Sequence, residues 1–309
     1  MKVAVTGATG FVGSELVQQL QAAGHSVKVL TRNPERARRV FPEAAFPSVA
    51  VTAYTPTESG PWQAEISGCD GVINLAGEPI SERWTPERKR AMLASRQVGT
   101  EKLVEAIVQA AQKPAVMVSA SAVGFYGTSE TAEFYETSAP VEQDFLSEIC
   151  QKWEAAAESV TAVGTRLVVI RIGIVLGTGG AIAKMLTPFR LYAGGPIGSG
   201  RQWFSWIHRH DLVRLFIQGL TDEGMQGVYN GTAPNPVRMN DLCNALGQVM
   251  NRPSWLPVPD FVIETLLGDG AKVVLEGQKV LPERTQAAGF SFKYPKVEPA
   301  LREVVSAMP

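Results

Sequence analysis

Lys2–Thr6 (KVAVT) is a short run rich in β-branched residues. Three glycines follow over residues 7–13, and Phe11, Val12, Leu16, Val17 and Leu20 then recur at helical spacing as far as Gly24. The order predicts strand, tight turn, helix. Residues 26–30 (SVKVL) predict a second strand, which closes a βαβ unit within about 30 residues; such crossovers are almost always right-handed and imply a parallel sheet. Apolar runs at 71–75 (GVINL), 115–119 (AVMVS) and 167–172 (LVVIRI) predict further buried strands, separated by helices within 87–112 and 144–162. This alternation predicts an α/β fold, a Rossmann-like doubly wound parallel sheet.

Beyond residue 177 glycines and prolines crowd the chain, helices are predicted at 211–220 and 240–250, and PSWLPVP at 253–259 interrupts it before a last segment. We expect a Rossmann-like domain over 1–176, to which some later segments return, and a smaller substrate-side lobe over 177–309. A length of 309 residues agrees with about two compact units.

Composition narrows the function. The formal net charge is −1, so no global field draws the chain to nucleic acid or to an anionic membrane. The one dense basic run, RNPERARR at 32–39, reads as a solvated helix start. With 45% hydrophobic and 19% charged residues the chain is of the globular class. Its most apolar run, 167–176, is interrupted by Arg171 and is too short to cross a bilayer; the first residues enter a strand without signal-peptide architecture, so the cytoplasm is expected. Cys69, Cys150 and Cys243 lie far apart, and His25, His208 and His210 have no ligand spacing, so neither a disulfide framework nor a metal site is expected.

The turn Gly7-Ala8-Thr9-Gly10-Phe11-Val12-Gly13 lies between a predicted strand and a predicted helix, the context that a phosphate-binding loop requires. The first glycine permits the turn, the second lets backbone N–H groups approach a diphosphate, and the third lets helix and strand pack closely. The helix N-terminus adds the positive end of a dipole. An NAD site would place an acid on the ribose at the end of the second strand. Here Leu30 is followed by Thr31-Arg32-Asn33-Pro34, and the first acid is Glu35. A hydroxyl and a guanidinium suit a 2′-phosphate, which favours NADP(H).

The G-x-x-G-x-x-G spacing, Asn74-Leu75-Ala76-Gly77, Ser119-Ala120-Ser121 before Tyr126-Gly127, RIGIVLG at 171–177, FSWIHRHD at 204–211 and GVYN at 227–230 together resemble the extended short-chain dehydrogenase/reductases, which include sugar-nucleotide epimerases and dehydratases. NLAGEPISERW at 74–84, SASAVGFYG at 119–127 and the tail from Leu267 through Leu281-Pro282 to Ala288-Gly289-Phe290 resemble an atypical epimerase branch with a C-terminal extension, here 255–305. Some members in photosynthetic lineages are named as cell-division inhibitors. The resemblance implies cofactor contacts at Thr9, Phe11 and Val12, at Thr31 and Arg32 for the 2′-phosphate, at Leu75 and Ala76, and at Glu78 and Arg83 in the loop after Gly77. Ser119, which ends a predicted strand, joins this set.

In most of that superfamily a tyrosine stands four residues before a lysine on one helix, where the phenol exchanges a proton and the ammonium lowers its pKa. Lys152 lies in the corresponding segment, but Glu148 stands four residues earlier, and the two also read as a surface ion pair. Ser121 is a candidate for polarising the substrate, with a register that also admits Ser119 or Ala122. Tyr126 is a candidate proton donor or an aromatic of the pocket wall. His208 and His210 read as packing residues before a helix, and Trp203, Phe204 and Trp206 as core or pocket lining. Two functions remain open: an NADP(H)-dependent oxidoreductase or epimerase acting on a small polar or sugar-like substrate, and a dinucleotide-binding regulator with weak or no catalysis that acts through a protein partner, in cell division. The oligomeric state is left open.

Overall fold

The computed structural model describes residues 1–141 and 144–308. Seven strands form one sheet: β1 (Lys2–Thr6), β2 (Ser26–Thr31), β3 (Val49–Ala53), β4 (Gly71–Asn74), β5 (Val116–Ala122), β6 (Arg166–Ile172) and β7 (Gly227–Gly231). Their spatial order is β7-β6-β5-β4-β1-β2-β3, and every neighbouring pair is parallel. The order reverses between β1 and β4. In open α/β sheets a ligand crevice opens at such a switch point, outside the carboxyl ends of the strands.

The sheet is buried on both faces, so its strands are nearly all apolar, and alternate residues serve different cores. Val3 and Val5 pack with Leu16, Val17 and Leu20 of helix α1 (Phe11–Ala22), whereas Ala4 faces the opposite cluster with Leu103 and Ile107. After the short α2 (Pro34–Val40), that second face is covered by α3 (Pro86–Gln109) and α4 (Phe145–Glu158); α6 (Arg209–Thr221) lies beside α1 on the first. The expected strands and helices are all present, with ends displaced by a few residues. β3 is an addition. Its sequence, VAVTA, is short and partly exposed at the sheet edge, where packing imposes no clear hydrophobic pattern.

β7 lies far along the chain yet completes the main sheet beside β6. A separate apolar cluster joins α5 (Gly180–Arg190), α7 (Met239–Met250) and the C-terminal helix Val297–Ser306. Small strand pairs fasten this lobe: Ile174–Leu176 lies parallel to Trp206–His208, and Lys279–Val280 parallel to Glu133–Phe134. The last segment turns back over α6, where the fully buried Asp211 accepts hydrogen bonds from the backbone N–H groups of Lys293 (2.9 Å) and Tyr294 (2.8 Å). Among the described residues no helix is long and apolar enough to cross a membrane.

Asp211→Ala leaves two part-buried N–H groups without their acceptor, each bond worth about 1–3 kcal/mol. The variant should unfold at clearly lower urea concentration than the parent, measured by tryptophan fluorescence. An unchanged midpoint would show that the remaining contacts of the tail, among them the bonds of Arg214 to Ser291 and Asn235 to Pro295, hold it without Asp211.

Candidate functional site

At the exit of β1 the backbone turns through Gly7, whose φ is +68°, a conformation that side chains rarely adopt. Space is equally decisive. A Cβ on Gly7 would lie 2.7 Å from the carbonyl carbon of Leu75, and one on Gly13 would lie 2.3 Å from the carbonyl oxygen of Gly7. The N–H of Gly10 donates to that same oxygen at 3.0 Å, which closes the turn. Gly10 then occupies the N-cap of α1 with no side chain to cap it, so the first amides of α1 remain for an anion. Thr9 is half-buried, and Val12 packs against the sheet core. The ring of Phe11 lies beneath Gly177 and Gly179, with the Arg209 guanidinium 4.9 Å from its centre.

The facing wall is the exit of β4. Thr6 Oγ1 donates to Asn74 Oδ1 at 2.7 Å and accepts the N–H groups of Leu75 and Ala76, both at 3.2 Å. Asn74 Nδ2 in turn donates to Thr100 Oγ1 at 2.9 Å and Ser119 Oγ at 3.5 Å. This chain ties the ends of β1 and β4 to the middle of β5 and to α3, and holds Leu75, Ala76 and Gly77 against the glycine turn. Ser119 belongs to the clamp. Thr6, Asn74 and Thr100 are clamp positions that the sequence reading did not select; a polar residue ending an apolar strand is the signal that marks Thr6 and Asn74, whereas Thr100 lies within α3 and carries no such signal.

Arg32 is 68% exposed beyond β2, and its Nη1 meets Glu78 Oε1 at 2.5 Å. Arg88 approaches the other oxygen of Glu78 at 3.8 Å and also pairs with Glu82. The Thr31 hydroxyl accepts the N–H of Asn33 at 3.2 Å, which fixes the strand end from which Arg32 projects. The structure thus brings Thr31, Arg32 and Glu78 together beside the turn. Arg83 is separate from them, with its Nη1 donating to the carbonyl of Thr265 (3.0 Å) near the end of α8 (Asp260–Leu267). The N–H of Trp84 also points to the Leu267 carbonyl at 3.4 Å, and Lys89, in the first turn of α3, pairs with Asp269 just beyond α8 at 2.6 Å.

β5 runs three residues farther than its apolar pattern predicts, and this sets Ser121 beside Arg171 in register. Ser121 Oγ donates to Glu154 Oε1 (2.6 Å), and Arg171 grips the same carboxylate twice, Nε to Oε1 at 2.8 Å and Nη2 to Oε2 at 2.7 Å. Arg171 Nη1 also donates to the Tyr126 hydroxyl at 3.0 Å, and that hydroxyl donates to Asn230 Oδ1 at 2.7 Å. Ser121 and Tyr126 are therefore buried members of one hydrogen-bonded network. Burial, only partly offset by Arg171, pushes the Tyr126 phenol up to about 12.

Glu148 and Lys152 lie elsewhere, paired with each other at 2.6 Å on the exposed face of α4. The inward face at the same four-residue spacing carries Leu146 and Cys150, both beside Gly124 just after β5. The four residues proposed from sequence for the chemistry are thus not gathered around one point. Burial pushes the Cys150 thiol up to about 12, so it is neutral at ordinary pH. Among the described residues no cluster of His, Cys, Asp and Glu could hold a metal ion.

The NAD dependent epimerase/dehydratase family pattern covers residues 3–230, which include the turn, the clamp and the β5 network. The chain belongs to this family. Its residues 258–304 match a domain of unknown function, DUF1731, so the extension is a recognised unit. The chain is 51% identical over 308 residues to the Arabidopsis thaliana epimerase family protein SDR39U1 homolog, chloroplastic, spanning 99% of this chain and 87% of that one. It is 39% identical over 311 residues to the human epimerase family protein SDR39U1, with 99% and 100% covered. The crystal structure of human SDR39U1 isoform 2 with NADPH superposes with a TM-score of 0.88 at 37% identity, covering both chains fully. A nucleoside-diphosphate sugar epimerase from Corynebacterium glutamicum gives 0.78 at 29% identity, over 99% of this chain and 58% of that one.

Within this epimerase-family frame the buried pair and the exposed pair on α4 should respond very differently. Arg171→Met strands Glu154 without its ion-pair partner and should cost about 3–5 kcal/mol. Lys152→Ala, on the exposed face, should cost less than about 1 kcal/mol. Chemical denaturation of the two variants checks the contrast, and similar losses would contradict it. Because Tyr126 is held neutral, its contribution is intact below about pH 10 and is lost as pH rises toward 12. Tyr126→Phe should therefore show a shallower loss of stability than the parent across that window.

Proposed function

We propose that this chain binds NADP(H) across the β1/β4 crevice and exchanges hydride between that cofactor and a small polar, sugar-like substrate. The observation that carries the proposal is the uncapped start of α1 behind a turn too close to Leu75 and Ala76 to admit a Cβ at Gly7. That cradle suits a diphosphate. Gly7, Gly10 and Gly13 would shape it, with Thr9, Phe11 and Val12 around it, Leu75, Ala76 and Gly77 on the facing wall, and Ser119 stiffening that wall through Asn74. Thr31 and Arg32 would receive the 2′-phosphate, for which Arg32 turns from Glu78 while Arg88 still holds that carboxylate. Arg83 would act from the α8 side of the loop. The presence of NADPH in the human SDR39U1 crystal structure supports the reading.

When bound, a nicotinamide supplies or accepts the hydride; the remaining question is the proton. Ser121 and Tyr126 are assigned here to holding the end of β5 rigid, because each is committed to the Glu154–Arg171 network. Glu148 and Lys152 are assigned to the surface. A second reading draws support from the same placement: Leu146 and Cys150 offer no phenol and no ammonium at the inward face of α4, which suits a dinucleotide-binding regulator that works through a protein partner, including one in cell division.

Fluorescence titration should give saturable NADPH binding, much weaker NADH binding, and a loss of roughly ten- to a hundredfold in NADPH affinity for Arg32→Ala, as expected for one charge-assisted phosphate contact of about 1.5–3 kcal/mol. Equal affinity for the two coenzymes would remove the 2′-phosphate assignment. Turnover of any carbonyl or sugar-nucleotide compound by the NADPH-loaded protein favours the enzyme; binding without turnover, together with recovery of a defined partner, favours the regulator.

A further inference from the structure

Arg96 of α3 lies directly under the loop that follows β4. A Cβ on Gly77 would stand only 2.9 Å from its Cζ. Its Nη2 donates to the Glu78 carbonyl and its Nη1 to the Met92 carbonyl, both at 3.1 Å, while the Trp153 ring of α4 lies 5.2 Å from Cζ. Three elements therefore fix one guanidinium in orientation. Among the described residues no carboxylate lies within ion-pair distance of it, and two of its five N–H donors have partners. The carboxylate that acts on it, Glu78, is engaged elsewhere by Arg32 and Arg88. Burial lowers the pKa of Arg96, opposed by Cys150 and Glu78, yet an arginine remains charged at neutral pH. A half-buried cation with no ion-pair contact of its own, and only the shared Glu78 charge nearby, is costly, and an anionic ligand relieves that cost.

Its place along the crevice indicates which ligand. Passing from β2 to β5, the features are Arg32, the glycine turn, the loop Leu75 to Gly77, then Arg96, and finally Cys150 at the inward face of α4. On the NADP(H) reading above, with the 2′-phosphate at Arg32 and the diphosphate at the turn, the reacting end of the cofactor lies on the Arg96 side. We propose that Arg96 is the substrate-anchoring residue of this site and that the substrate carries a carboxylate received by this guanidinium. The planar fork matches a carboxylate in a way that a point charge does not. The inference rests on the NADP(H) reading for the direction of the crevice, but not for the charge or the clamping of Arg96.

The full-length protein is first titrated with NADPH, and oxalate is then titrated calorimetrically into the NADPH-loaded form. Oxalate should bind saturably. Arg96→Met should weaken it by about tenfold or more, as expected for loss of a charged hydrogen-bonded contact, and Arg96→Lys should fall between. Saturable NADPH binding by each variant serves as the folding check; should Arg96→Met fail it, the Lys variant alone decides. Lys152→Ala, at the exposed face of α4, should leave oxalate binding unchanged. No oxalate binding by the parent, or equal binding by the parent and the Arg96 variants, overturns the proposal. If NADPH does not bind, the cofactor reading fails separately, and an Arg96-dependent oxalate signal in the free protein would still uphold the anion site.

Discussion

The crevice depends on one close approach, that of the turn leaving β1 to the loop leaving β4. Two devices make it feasible. Gly7 has no Cβ to hold the two chains apart, and the Thr6 hydroxyl bridges the two strand ends by serving Asn74, Leu75 and Ala76 at once. The part-buried N–H of Ala76 would otherwise lack this partner, at a cost comparable to a lost hydrogen bond, while that of Leu75 also reaches the Thr6 carbonyl at 3.4 Å. The same contacts fix how far the α1 amides stand from the facing wall, so the geometry that admits an anion and the geometry that closes the sheet are the same.

Farther along the sheet a second polar assembly plays a different part. Arg171, Glu154, Ser121, Tyr126 and Asn230 join β5, β6, β7 and α4 through side chains rather than through the backbone ladder. Replacing such a group by apolar residues of equal volume often leaves stability unharmed, so its value lies elsewhere. Here it links the end of β5 to α4 through the one carboxylate of Glu154, which Ser121 and Arg171 share.

Most of the fold was legible because its strands are buried on both faces and its helices are long and periodic. β3 escaped because a short, half-exposed edge strand imposes no pattern. The glycine turn was legible for a local reason: its chemistry is contained in seven consecutive residues. The face of α4 was not, since FLSEICQKWEAAA offers Glu148 and Lys152 at one four-residue spacing and Leu146 and Cys150 at another, and only packing against Gly124 decides between them. The clamp through Thr6, Asn74, Thr100 and Ser119 draws on four separate segments. Arg96 likewise stands in an unremarkable polar stretch of α3, and its position under Gly77 is a property of the assembled molecule.

The loop between Gly77 and Thr85 is fastened at both ends to different bodies: at its start to α3 by the carbonyl of Glu78, and at its finish to the C-terminal extension by Arg83 and Trp84. The far end of the chain and the rim of the crevice thus meet in one short stretch of backbone, a few residues from the Glu78 carboxylate that holds Arg32.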